Sequence, residues 1–183
     1  MQLTQITPEV PLYSISDVFP ASIRNQLNTI NWKLLPGVNV NEGNRVNLTL
    51  PIELDREINH YVHDTLLTSI ENEIKIKFID VPLCGICWYN TPGYQSMIHT
   101  DGCVSATMQI YWEPLDNTEH GTCFYNSCNT DDILHYFPSI QNTGYLALYT
   151  TSTRPLWHGT TCPLPSNILR VSFMFQPGRY IIL

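Results

Sequence analysis

From Ile79 onward the sequence reads IDVPLCGICWY (79–89), NTPGYQSMIHTDG (90–102), SATMQIYWEP (105–114), LDNTEHGTCFYN (115–126), TGYLALYTT (143–151) and SNILRVSFMFQP (166–177). Each segment is a short apolar or alternating run, and Gly, Pro, Asn and Asp cluster between the runs. Such runs, spaced by roughly 8 to 15 residues, predict the strands of an antiparallel sandwich or jelly roll. The residues before them have a different character. LDREINHYVHDTLLTSIENEI (54–74) places Leu54, Ile58, Tyr61 or Val62, Thr65 or Leu66, and Ile70 at helical spacing with no Gly or Pro inside, which predicts a helix. SDVFPASIRNQLNTI (16–30) predicts a second, shorter helix capped by Ser16 or Asp17. Val46, Leu48 and Leu50 alternate up to Pro51, which predicts a strand. Periodicity alone therefore yields a β sandwich with one or two helices.

The chain has 183 residues, of which 43% are hydrophobic and 14% charged. That suits one domain with a core of its own and argues against disorder. Nine Lys and Arg against sixteen Asp and Glu leave a net charge of −7. The cations are scattered, with no basic run, so nucleic acid and anionic membrane surfaces are the less expected partners. No stretch approaches the roughly 18 to 20 apolar residues that span a bilayer. The opening MQLTQITPEVPLYS lacks the charged and apolar regions of a secretion signal. With no export signal, the six cysteines are expected to be reduced thiols in a cytoplasmic setting.

The chemistry is concentrated in four residues. In a strand, residues two apart share a face, so His99 and Asp101 in MIHTDG project together. His158, in PLWHGTT, follows Asp101 by 57 residues. Two imidazoles and one carboxylate on one face of a metal leave three positions open, the arrangement associated with non-haem Fe(II) oxygenases. Arg170 comes twelve residues after His158, inside the apolar run ILRVSFMFQP. A guanidinium there is costly unless an anion pairs with it. Arg170 with Ser172, two positions on, forms a suitable receptor for a distal carboxylate.

The ordered series HTD (99–101), HGT (158–160) and RVS (170–172) resembles the HxD…H…RxS pattern of the 2-oxoglutarate- and Fe(II)-dependent oxygenases. YNTPGY (89–94) ahead of His99 resembles the lead-in of prolyl-4-hydroxylase-like members. GTCFY (121–125) and GYLALY (144–149) resemble the strands between the metal-binding ones. One departure stands out: prolyl hydroxylases proper usually anchor the cosubstrate with Lys, and this chain has Arg170.

The resemblance implies a mainly β fold with N-terminal helices, a double-stranded β-helix of the jelly-roll, cupin-like kind. A single domain over 1–183 would divide into a helix and strand cap over 1–78 and a catalytic core over 79–183. It implies Fe(II) on His99, Asp101 and His158, with dioxygen and 2-oxoglutarate as cosubstrates. Arg170 and Ser172 would hold the C5 carboxylate of 2-oxoglutarate, with Tyr89 as a further hydroxyl donor. The implied reaction hydroxylates a peptidyl or free amino acid or another small substrate and releases succinate and CO2. Asp101, where a halogenase would have a small residue, favours hydroxylation over halogenation. Tyr94, Tyr125 and Trp157 are expected to face substrate because they adjoin the motifs.

Two alternatives use the same scaffold: a cupin-type metalloenzyme without 2-oxoglutarate, and a jelly-roll metal-binding module without turnover. Arg170 argues against the first, and the complete set of four against the second. His60 and His63 are read as a solvated helix face, and Cys84 and Cys87 as free structural thiols. Cys123 and Cys128 are too widely spaced for a zinc knuckle. Cys103, two residues after Asp101, would face the metal if the strand continued.

Overall fold

The computed structural model of the chain describes residues 1–40, 44–82, 85–102, 104–113 and 117–183. An antiparallel hairpin opens it, β1 (Gln2–Thr7) and β2 (Val10–Ser16), followed by α1 (Ala21–Leu27), β3 (Gly37–Asn39) and β4 (Arg45–Leu48). The long helical stretch comprises α2 (Ile52–Tyr61), a π turn over Val62–Leu66, and α3 (Leu67–Ile74). The remaining strands are β5 (Ile76–Ile79), β6 (Ile86–Asn90), β7 (Ala106–Glu113), β8 (Asn117–Tyr125) and β9 (Ile133–Ser139). They continue with β10 (Thr143–Leu148), β11 (Trp157–Gly159), β12 (Arg170–Phe175) and β13 (Arg179–Ile182). One large sheet has the order β1-β2-β10-β7-β12-β6-β4-β3, facing a smaller β11-β8-β9 sheet, while β13 pairs with β5. This is the expected jelly roll. Among the described residues no helix is long and apolar enough to cross a membrane.

Alternation along the large sheet sorts side chains into two environments. Met108, Ile110 and Trp112 of β7, Leu146 and Leu148 of β10, and Val171, Phe173 and Phe175 of β12 pack in one core with the helices. Leu54, Ile58, Val62, Leu66 and Ile70 supply the helical side of that core, as their spacing predicts. Phe173 meets Phe19 edge to face at 5.4 Å, a geometry worth about 0.5–1.5 kcal/mol beyond burial. The intervening residues point toward the small sheet. There Tyr111 and Tyr145 pack with Phe124 and Phe137 in a second cluster.

Four details depart from the sequence-based picture. The strands before residue 78 are not set apart, since β1 to β4 lie in the same sheet as the later strands. The opening hairpin reads poorly in sequence because Pro8 and Pro11 interrupt it, yet Val10, Leu12 and Ile15 are fully buried. The first helix starts at Ala21 behind Pro20, and Asp17 (φ +50°) sits in the left-handed region rather than capping it. Asn142 pins that turn instead, accepting from the Phe19 N–H at 2.7 Å and donating to the Phe19 carbonyl at 3.3 Å. Finally, residues 90–102 are mostly loop, with a single isolated bridge at His99.

Where β10 crosses β7, a Cβ on Gly144 would stand 1.8 Å from the Gln109 carbonyl oxygen. Gly144→Ala is expected to cost about 2–3 kcal/mol, lowering Tm by about 4–12 °C. A circular-dichroism melt that matches wild type would show that these strands do not approach as described.

Candidate functional site

His99 and His158 come from different parts of the chain, and their backbones join them. The His99 N–H donates to the His158 carbonyl at 2.9 Å, and the His158 N–H donates to the His99 carbonyl at 2.8 Å. Thr160 extends the join: its hydroxyl accepts from the Ser96 N–H at 2.9 Å and its N–H donates to the Ser96 carbonyl at 3.1 Å. The imidazole centroids are held 4.4 Å apart. His99 and Asp101 converge through this bridge and the loop around it, not through a continuous strand.

The rings are also oriented for coordination. Nδ1 of His99 lies 2.8 Å from the Met97 carbonyl, and Nδ1 of His158 lies 3.1 Å from that of Leu156. A carbonyl only accepts, so each Nδ1 carries the proton and each Nε2 presents a lone pair. Both Nε2 atoms face Asp101 Oδ1, at 3.5 and 3.7 Å. The other carboxylate oxygen, Oδ2, accepts from Thr107 Oγ1 at 2.8 Å and from the Tyr149 hydroxyl at 2.9 Å. One oxygen is thus committed to the protein and one is left for a cation.

The donor atoms of His99, Asp101 and His158 lie within 4.8 Å of one another, the one such ligand set among the described residues. Metal–ligand bonds of about 2.0–2.2 Å put facial donors about 3 Å apart, so the triad fits a divalent ion after small side-chain adjustment. Burial opposes ionisation of Asp101. The hydrogen bond that His99 donates when its imidazole is charged, the charge of His158 and the two hydroxyls outweigh it and hold the carboxyl well below its usual range. The hydrogen bond to Asp101 raises the His99 pKa, whereas burial lowers that of His158.

A cavity of about 120 Å³ leads from the triad to Arg170. The Arg170 side chain is buried on β12, and its Nη1 donates to the carbonyls of His120 at 3.0 Å and Gly121 at 3.3 Å. With the Asn90 amide oxygen turned toward it, Nε and Nη2 each donate to that oxygen at 3.1 Å. Of five guanidinium N–H groups, one on Nη2 is left over. Thr122 lines the same cavity; its hydroxyl accepts from Tyr111 at 2.6 Å, so its own proton is available to a ligand.

The other sequence-predicted site residues fall in different places. Tyr94 lines the cavity, with its ring centroid 5.3 Å from the Arg170 guanidinium carbon. Ser172 points to the same side of the sheet but lies under the cavity lining, its hydroxyl accepting from Gln109 Nε2 at 2.9 Å. Tyr89 packs in the helix-facing core, because alternation on β6 turns Trp88 and Asn90, not Tyr89, toward the small sheet. Tyr125 and Trp157 are partners across β8 and β11, and neither lines a described cavity. His60 pairs with Asp64 at 3.0 Å, and His63 Nε2 lies 2.9 Å from the Pro82 carbonyl, away from the triad. Cys87 and Cys123 are buried free thiols, while Cys84 and Cys103 lie outside the described residues.

Asn90, Thr107, Thr122, Tyr149 and Arg45 were not legible as site residues. One signal was present: Thr107, Gln109 and Tyr111 put polar groups at every second place of an otherwise apolar strand.

No family model matches the chain, and no curated protein does. Solved structures do. HygX from Streptomyces hygroscopicus, with nickel, 2-oxoglutarate and hygromycin B bound, is 12% identical with a TM-score of 0.61, covering 92% of this chain and 84% of its own. A 2OG-Fe(II) oxygenase family oxidoreductase from Burkholderia pseudomallei is 11% identical with a TM-score of 0.63, covering 93% and 84%. A prolyl-4-hydroxylase from Pseudomonas putida is 13% identical with a TM-score of 0.60, covering 93% and 94%. At these identities the likeness is one of fold alone, shared with these three proteins.

Tyr149→Phe keeps the ring and removes one of two donors to Asp101. It is expected to weaken divalent metal binding about tenfold, and calorimetric titration with Mn(II) at equal affinity for both proteins would remove this role. Metal binding also needs unprotonated imidazoles. Because the His99 pKa is raised from 6.5 and that of His158 is lowered, affinity should begin to fall while the pH is still above 6.5, by about tenfold per unit as one proton competes. It should steepen toward about a hundredfold per unit when His158 also titrates. A flat Mn(II) affinity between pH 8 and 5.5 would contradict this.

Proposed function

We propose that the protein is an Fe(II)- and 2-oxoglutarate-dependent dioxygenase that hydroxylates a small or peptidyl substrate. The observation that carries the reading is one cavity joining a two-histidine, one-carboxylate face to a buried guanidinium on the strand that follows. That arrangement suits a cosubstrate whose 2-oxo acid end goes to the metal and whose distal carboxylate goes to a fixed cation. HygX, which is similar in fold, has nickel and 2-oxoglutarate bound, which supports the assignment.

His99, Asp101 and His158 would hold Fe(II), which when bound supplies activation of dioxygen coupled to oxidative decarboxylation of 2-oxoglutarate. In the overall balance, one substrate C–H, dioxygen and 2-oxoglutarate become C–OH, succinate and CO2. The protein's own part is positioning and exclusion. Thr107 and Tyr149 hold Oδ2 so that Oδ1 stays aimed at the ion. The Met97 and Leu156 carbonyls keep both imidazoles in the ligating tautomer. Asn90 and the carbonyls of His120 and Gly121 fix the Arg170 fork, leaving one N–H for the distal carboxylate, with the Thr122 hydroxyl as a second donor. Phe124, stacked on His158 at 5.1 Å and 25°, shields the buried side from water. A cytoplasmic setting, where thiols stay reduced, suits a ferrous site.

Titrating the anaerobic Fe(II)-loaded protein with 2-oxoglutarate should develop a saturable visible charge-transfer band. Losing a hydrogen bond to a charged group costs about 2 kcal/mol, so Arg170→Ala should weaken binding about 30-fold. His99→Ala should abolish the band. A protein that holds iron but gives no band would exclude 2-oxoglutarate chelation.

A further inference from the structure

Arg45 is a second guanidinium at the same cavity, and the cosubstrate does not need it. It projects from β4 on the site face, with its guanidinium carbon 3.9 Å from the Trp88 ring centroid and 5.3 Å from that of Tyr94. Arg170 lies at the same 5.3 Å from Tyr94, so two like charges share one aromatic neighbour. Among the described residues Arg45 makes no ion pair and its guanidinium donates no hydrogen bond; two aromatic faces hold it, and Asp101 attracts it from beyond ion-pair distance. Asp101 is the one acid lining the cavity, and its oxygens are already taken by the triad and two hydroxyls. Burial, and the nearness of Arg170, disfavour the charged form of Arg45. A cation held so, in a chain with nine Lys and Arg and a net charge of −7, calls for an anion from outside.

The charge balance of the filled site indicates which molecule brings that anion. Fe(II) with the Asp101 carboxylate carries one net positive charge. A 2-oxoglutarate dianion together with Arg170 brings the sum to zero. Arg45 then remains as one uncompensated positive charge. Its position is at a boundary, because it also lines an outer groove of about 660 Å³ with Val40, Trp88, Tyr94, Met97 and His99. That volume is in the range of small-molecule sites, and the groove reaches His99, a member of the triad. Met97, 79% exposed, forms an apolar rim.

We propose that Arg45 is the receptor for a carboxylate on the primary substrate, and that this substrate is a small carboxylic acid, such as a free amino acid, lying in the outer groove. The proposal rests on the dioxygenase reading and names its substrate class. Trp88 and Tyr94 preset the guanidinium plane, so its fork is available for a two-point carboxylate contact. Tyr94 then adjoins both anion receptors, Arg170 for cosubstrate and Arg45 for substrate.

The test uses the full chain loaded with Ni(II) and 2-oxoglutarate, and follows tryptophan fluorescence, because Trp88 touches Arg45. The probes are the free L-amino acids and short aliphatic and aromatic carboxylic acids, each beside its own carboxamide, with inorganic phosphate as a separate arm. At least one acid should bind saturably below about 10 mM, with its carboxamide at least about tenfold weaker. Arg45→Met should weaken the acid by about tenfold or more and leave the carboxamide unchanged, with Arg45→Lys in between and 2-oxoglutarate affinity within about threefold of wild type. Thermal melts of both variants establish that they are folded. The proposal is overturned if no acid binds while 2-oxoglutarate does, if acid and carboxamide bind alike, if phosphate alone responds to Arg45, or if Arg45→Met weakens 2-oxoglutarate instead. A metal-loaded wild type that does not take up 2-oxoglutarate would instead sink the dioxygenase reading itself.

Discussion

Two backbone hydrogen bonds between His99 and His158, at 2.9 and 2.8 Å, are what the site depends on. They tie a long loop to a strand of only three residues, β11, and set two imidazoles at one fixed separation. Neither segment has enough regular pairing to hold such a geometry alone. Gly159 makes the approach possible, since a Cβ there would lie 2.9 Å from the Ser96 carbonyl oxygen. Once the bridge is made, the Met97 and Leu156 carbonyls set the ring tautomers, and Asp101 falls opposite both free nitrogens. The coordination face is therefore a consequence of backbone pairing more than of side-chain packing.

The large sheet separates stability from chemistry by alternation. Its helix-facing residues are apolar and form the main core, while its site-facing residues carry Arg45, Asn90, Gln109 and Arg170 toward the cavity. Apart from Arg45, the set is largely paired within itself: Gln109 donates to Ser172 and accepts from Tyr145, and Asn90 accepts from Arg170. Buried polar groups without partners cost about 1–3 kcal/mol each, so this network is what makes a polar interior tolerable. It also makes the cavity electropositive in an acidic protein, a field suited to small anions.

Much of this was legible along the chain. Helical spacing in residues 54–74 and alternation in 105–114, 143–151 and 166–177 correspond to the long helical stretch and to β7, β10 and β12. His99, Asp101 and His158 stood out by residue type and spacing, and Arg170 because a guanidinium in an apolar run is costly without an anion. The opening hairpin escaped, since two prolines mask a pairing that is completed only by β10. Tyr89 was drawn to the site by its place beside a motif, but alternation on β6 sends it to the core and brings Asn90 in its stead.

By itself the sequence determined a β sandwich with helices and a cation in an apolar run, which follow from residue type and local spacing, while the jelly roll and the candidate ligand set came from the resemblance of its ordered motifs. Tertiary structure alone decided which oxygen of Asp101 is free, that Thr107, Tyr149 and Thr122 attend the site, and that Arg45 joins Arg170 at one cavity. These residues come from strands and loops distant in the chain, and their meeting depends on register between strands, which a local pattern does not encode. Arg45 and Arg170 both pair in register with Asn90 on β6, and that shared neighbour is the physical reason two cations far apart in sequence flank one ring.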